Sequence, residues 1–146
     1  MTGTRKLYLV IAVLAVIGLV DSSYALHLHY AKSATSFCDV GESFNCDVVN
    51  RSIYSSILGI PVALIGMLGY AFLAGVATFR RHDPQTAGLL LLASGLGLAF
   101  ALYLTYVEAY LLATWCILCL VSLALISAIT VLAAFIYTVS RRPASD

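Results

Sequence analysis

The chain has 146 residues, 62% of them hydrophobic and only 10% charged, with a net charge of +1. A soluble domain carries about 25% charged residues, and a fold this small has too little interior to hide so much apolar surface. The composition excludes a soluble globular protein, indicates an integral membrane protein, and offers no basic patch for nucleic acid.

A span needs roughly 20 apolar residues, so four spans with short connections use nearly the whole chain. The predicted fold is all-α, a single four-helix membrane domain over residues 1–146. Helices are the spanning element, because the apolar runs are continuous and do not alternate.

The first predicted span covers about residues 7–28, preceded by Arg5 and Lys6 and interrupted near its far end by Asp21. Arg5-Lys6, the apolar stretch to Val20 and then Ser23-Tyr24-Ala25 also fit a signal peptide with a small-residue cleavage site. The apolar run continues through Leu28, which favours a retained span. The loop of residues 30–56 is the polar half of the protein, with Lys32, Asp39, Glu42, Asp47, Arg51 and two cysteines, Cys38 and Cys46. The second span, about 57–79, opens near Gly59-Ile60-Pro61, since proline is tolerated in a first helical turn. It ends at the charged turn Arg80-Arg81-His82-Asp83-Pro84. The third span covers about 86–107 and the fourth about 113–139, with Glu108 and Thr114 bracketing the break between them. Gly66, Gly69, Ala71 and Gly75 in the second span, and Gly88, Gly95, Gly97 and Ala99 in the third, are small residues that permit close helix approach in lipid.

In a four-span arrangement Arg5, Lys6, Arg80, Arg81, Arg141 and Arg142 share one side, and Lys32 and Arg51 the other. By the positive-inside rule both termini are expected in the cytoplasm. The loop cysteines and the start of the fourth span then face the periplasm or lumen, where disulfides persist.

The chemistry lies in the cysteines. Cys116-Ile117-Leu118-Cys119 sits inside an apolar run from Gly88 to Tyr137. Thiols three residues apart share one face of a helix, one turn apart, close enough to alternate between disulfide and dithiol. Cys116, expected in the first turn, would feel the helix dipole, which favours a thiolate. Cys119 lies deeper, where a lipid-soluble substrate meets it. Two buried structural cysteines are the alternative. Cys38 and Cys46 enclose a short acidic loop, and a static staple there competes with a disulfide that exchanges with the helical pair. A zinc site is a third reading, disfavoured because C-x7-C does not match a knuckle; no metal is assigned.

Taken in order, several segments resemble the vitamin K epoxide reductase family. They are Tyr24-Ala25-Leu26-His27, Cys38-Asp39-Val40-Gly41 with Cys46 after it, Gly59-Ile60-Pro61, and Tyr103-Leu104 ahead of Cys116. The likeness covers nearly the whole chain, as a stand-alone form without a fused thioredoxin-like domain. It implies a four-helix bundle around a quinone or vitamin K pocket. By that resemblance Cys116 and Cys119 are the active-site pair, with Cys119 nearest the quinone, and Cys38 and Cys46 are the shuttle pair. Ser52 matches a serine or threonine near the active site, where its hydroxyl donates to a thiolate or a quinone carbonyl, or else caps a turn. Ser55, Leu104 and Leu123 are assigned with Cys119 and Ser52 to the quinone pocket. Leu123 stands where vertebrate members have tyrosine, and the region of Ser55 and Ser56 replaces their asparagine. Both departures weaken an assignment to vitamin K epoxide and leave quinone reduction.

The expected function is a membrane thiol–disulfide oxidoreductase that oxidises a thioredoxin-fold partner and reduces ubiquinone, menaquinone or vitamin K. Epoxide reduction in a vitamin K cycle is one alternative. A non-enzymatic four-span protein with a stapled loop is another. His27, His29, Asp21 and Glu108 are read either as proton-moving groups or as residues solvated at the interface. Tyr103, Tyr106 and Tyr110 are read as wall and interface residues.

Overall fold

Four helices long and apolar enough to cross a membrane dominate the computed structural model, which describes residues 2–30 and 41–142. The first is α1 (Thr2–Tyr30). Its buried residues, Tyr8, Ile11, Ala15, Gly18, Ser22, Ala25 and Leu28, recur every three or four positions. That spacing makes one stripe along a helix. The opposite face leaves Leu9, Val13, Val16 and Val20 exposed. An outer surface of this kind suits lipid, where apolar side chains have no reason to hide.

After the loop, a short helix α2 (Cys46–Arg51) is capped by Asn45, whose side chain accepts from the Val48 N–H at 3.0 Å. The next helix begins later than the residue 57 expected from sequence. Ser56–Ile57 (β1) and Ile60–Pro61 (β2) pair antiparallel. Leu58 and Gly59 between them have φ of 53° and 81°, the positive pair that a two-residue hairpin turn requires. The helix α3 (Val62–Phe79) follows directly, with Pro61 as its N-cap. The turn to α4 (Thr86–Tyr106) is closed by an Arg80–Asp83 ion pair and by Asp83 Oδ1 accepting from the Gln85 N–H at 2.9 Å.

The third span also differs from its expected end. It continues past Tyr106 as a π-helical stretch, Val107–Leu112, so the spanning helix reaches Leu112. Ala113, at φ 49°, breaks it. An extended link then leads into α5 (Ile117–Arg141), which starts four residues later than the 113 expected.

In the bundle, α1 packs against α3 and α5, and α4 against α5 and α3. The main core gathers Ile11 and Ala15 of α1, Tyr70 and Leu73 of α3, Leu90 of α4, and Ile129 and Ala133 of α5. Close approach depends on fewer glycines than the sequence suggested. A Cβ on Gly66 or Gly97 would lie 3.0 Å from Ser22 Oγ or 3.2 Å from Ile126 Cδ1, whereas Gly69, Gly75 and Gly95 have nothing within 4 Å. The tightest position is Gly18, on which the Tyr70 ring rests: a Cβ there would fall 2.4 Å from Tyr70 Cε1. A second, smaller core at the other end holds Ala25, Leu28, Cys46, Val49, Cys116 and Leu118.

Candidate active site

Two backbone contacts build the site. Phe44 forms a parallel bridge with Trp115. The Trp115 N–H donates to the Ser43 carbonyl at 2.9 Å, and the Asn45 N–H donates to the Trp115 carbonyl at 3.1 Å. The residues just before α2 are thereby fixed to those just before α5. Cys46 opens α2 and Cys116 is the N-cap of α5, so the bridge brings the two sulfurs to 3.3 Å. Both residues are fully buried. Cys46 is held in a disulfide, while Cys116 and Cys119 are free thiols. A buried thiol therefore abuts a disulfide sulfur, the arrangement from which thiol–disulfide exchange proceeds. Cys38 lies outside the described residues.

The N-terminal turn of α5 is placed differently from the sequence expectation. Cys116 stands before the first turn, with extended φ and ψ of −111° and 118°. Cys119, as the third residue of the helix, takes the first-turn place expected of Cys116. The two thiols also differ in outlook. Cys119 lines a cavity of about 360 Å³ enclosed by α1, α3, α4 and α5, within the range of about 300–1,000 Å³ typical of small-molecule sites. Cys116 sits behind it, against Cys46.

The cavity wall is mainly apolar, with Ile65, Phe72, Leu96 and Phe100 among its residues. Of the residues assigned to a quinone pocket from sequence, Ser52, Ser55, Leu104 and Cys119 line it; Leu123 lies on α5 outside the lining. Ser52 Oγ donates to the Val49 carbonyl at 2.8 Å, and Ser55 Oγ donates to the Ser52 carbonyl at 2.7 Å. Each hydroxyl hydrogen is thus spent on backbone, which leaves only acceptor lone pairs for a ligand. His29 also lines the cavity, and its Nδ1–H donates to the Asn50 backbone carbonyl at 2.5 Å. A carbonyl can only accept, so the proton of this bond sits on Nδ1. His27, by contrast, is exposed and lies near Tyr24. Tyr103, Tyr106 and Tyr110 are exposed on the outer surface.

Three buried polar residues acquire a place that sequence did not give them. Asn50, one helical turn after Cys46, is buried. Its Nδ2 donates to the Cys46 carbonyl at 2.9 Å and reaches Cys116 Sγ at 3.9 Å. Its C-x3-N spacing from Cys46 was the available signal. Asp47 is buried with neither carboxylate oxygen paired among the described residues. Glu108 is 1% exposed rather than solvated at an interface. Its Oε2 accepts from the Cys116 N–H at 3.2 Å, and it lines the cavity beside Cys119. The Glu108 carboxylate and the Cys116 and Cys119 sulfurs lie within 4.8 Å of one another. Those are donor types that zinc accepts, but among the described residues they number three, one short of a closed structural zinc site.

A cysteine chain running from a disulfide at the bundle end to a thiol on an intramembrane cavity is the equipment of a membrane oxidoreductase. The family model of the Vitamin K epoxide reductase family matches residues 9–134, most of the chain and a range within which all four cysteines fall. The chain belongs to the vitamin K epoxide reductase family, as an integral membrane redox enzyme of that type.

Proposed function

We propose that the protein oxidises the thiols of a thioredoxin-fold partner and delivers the electrons, through two cysteine pairs, to a lipid-soluble quinone in the cavity. The observation that carries this reading is the order of the sulfurs: Cys46 in contact with Cys116, and Cys119 on the cavity wall. A static loop staple has no need of a buried thiol 3.3 Å from it.

The steps balance as follows. A partner thiolate attacks Cys38 of a Cys38–Cys46 disulfide, and Cys46 leaves as thiolate. A second partner thiol resolves the mixed disulfide, which releases oxidised partner and leaves Cys38 and Cys46 reduced. Cys46 then attacks Cys116 of the Cys116–Cys119 disulfide and frees Cys119. Cys38 attacks Cys46, restoring the loop disulfide and freeing Cys116. The resulting dithiol gives two electrons and two protons to the quinone, and hydroquinone leaves. Free thiols at Cys116 and Cys119 beside a disulfide-bonded Cys46 are compatible with this order. The six-to-two division of basic residues supports cytoplasmic termini, with the cysteine end toward the periplasm or lumen.

The test is reduction of a soluble quinone analogue by purified protein supplied with dithiothreitol, followed by the loss of quinone absorbance. Wild-type protein should catalyse it and Cys119→Ala should not. Turnover that survives in Cys119→Ala would reject the cavity thiol as the electron donor.

A further inference from the structure

Quinone reduction moves protons as well as electrons, and the protons released by the dithiol have to reach the quinone oxygens. Glu108 is the buried group that meets the geometric requirements. It is 1% exposed, in a protein with only 10% charged residues, and a carboxyl at that depth is expensive unless it has work to do. Its position is held from one side only. Oε2 accepts the Cys116 N–H at 3.2 Å, whereas Oε1 has no hydrogen-bond partner among the described residues. The carboxylate lies within 4.8 Å of both sulfurs and opens on the same cavity as Cys119. It projects from the π-helical stretch Val107–Leu112, an irregularity frequent at functional sites. The other acid of the cavity, Asp21, belongs to α1, and among the described residues it is not part of the group that holds the two sulfurs.

We propose that Glu108 is a catalytic residue, the proton carrier between the Cys116–Cys119 dithiol and the quinone. This role rests on the quinone reduction proposed above. Oε1 takes the proton of the Cys119 thiol while the sulfur lone pair attacks a quinone ring carbon. The proton is handed to the nearer quinone oxygen as negative charge develops there. Cys116 then attacks Cys119 Sγ, forming the S–S bond and breaking the C–S bond, whose electron pair goes to the ring. The Cys116 proton crosses the vacated carboxylate to the second oxygen. Two protons leave the dithiol and two arrive on the hydroquinone, so Glu108 ends each turnover as it began and needs no water path.

Glu108→Gln tests the role. The amide oxygen still accepts the Cys116 N–H and the volume is kept, but no proton can be carried. General acid–base groups contribute about 10²–10⁴-fold, so kcat for the quinone analogue should fall at least about 100-fold. KM should stay within about twofold, since binding in the ground state is untouched. Mass spectrometry of alkylated protein during turnover should find Cys116 and Cys119 accumulating as thiols. Glu108→Asp should recover part of kcat. The role is overturned if Glu108→Gln turns over like an active wild type. It is equally overturned if kcat falls only in parallel with thermal stability and Glu108→Asp restores neither. A wild-type protein that reduces no quinone removes the functional reading together with this role.

Discussion

Replacing Cys38 by alanine isolates one step of the relay. Cys46 loses its proposed partner and is left as a thiol 3.3 Å from Cys116 Sγ. A disulfide needs about 2.05 Å, so the two sulfurs have to close by only about 1.2 Å, less than a side-chain rotamer change delivers. The backbone is already held by the Phe44–Trp115 bridge and its two hydrogen bonds. Well-oriented intramolecular partners behave as though at about 10⁵ M or more. A millimolar external thiol is outcompeted by many orders of magnitude. Oxidised Cys38→Ala protein should therefore contain a Cys46–Cys116 disulfide as its main cross-link, with Cys119 left reduced toward the cavity. Non-reducing digestion and mass spectrometry identify the peptide pair, and added glutathione should not divert it. Cys46→Ala is the companion variant: it should trap a Cys38–partner mixed disulfide and no cross-link to Cys116. A Cys38→Ala protein in which Cys46 is captured by glutathione, with Cys116 still paired to Cys119, would refute the relay and leave the loop disulfide a staple.

Three further outcomes are expected. Asn50→Ala removes the buried hydrogen bond to the Cys46 carbonyl, which should cost about 1–3 kcal/mol in thermal or denaturant unfolding and slow exchange between Cys46 and Cys116. Unchanged stability and exchange would show that the amide is idle. Gly18→Ala drives a methyl into the Tyr70 ring and should destabilise by about 1–3 kcal/mol, while Gly69→Ala, with open space around it, should be near neutral; equal melting temperatures would contradict the packing at Gly18. An impermeant thiol reagent applied to reduced intact cells should label Cys38 without permeabilisation, and labelling only after permeabilisation would reverse the proposed orientation.

The four spans were legible because lipid asks little of a sequence beyond length and apolarity. Every spanning helix contains the stretch that composition and the basic residues marked, apart from shifts at the ends. The ends were not legible, because each is set by a local backbone event with a weak signature. Leu58 carries φ 53° without being glycine, and Ala113 carries φ 49° in the same way. The four cysteines could be ranked as chemistry from their spacing and from the family resemblance. Exchange between the loop pair and the helical pair was expected as well, but the structural means of bringing Cys46 to Cys116 is a bridge between residues 44 and 115 that no short-range pattern encodes. Asn50 was passed over for the same reason: its amide matters only once α2 is folded against Cys116. Glu108 was read either as a proton-moving group or as a residue solvated at the interface, and sequence could not choose because a regular helix gave no cause to bury it.

The π-helical stretch re-aims the chain that follows Glu108. An α-helix advances 100° per residue, so one extra residue in a turn rotates everything after it by about that angle. The π-helical stretch begins at Val107, immediately before Glu108. Its carbonyl accepts the Thr114 N–H at 3.2 Å, and its side chain accepts the Cys116 N–H at the same distance. One residue thus receives both the chain leaving the third span and the cysteine that opens the fourth. The Ala113 break is needed for this, because a helix continued through residue 113 would carry Cys116 away from both Glu108 and Cys46. The two irregularities together turn a C-x-x-C that a continuous helix would hold on one face into a split pair: Cys116 turned to the loop disulfide and Cys119 to the cavity. A regular helix across this junction would keep the thiols close but lose that division. The relay proposed above, from a partner's thiols to a quinone in the cavity, depends on that division.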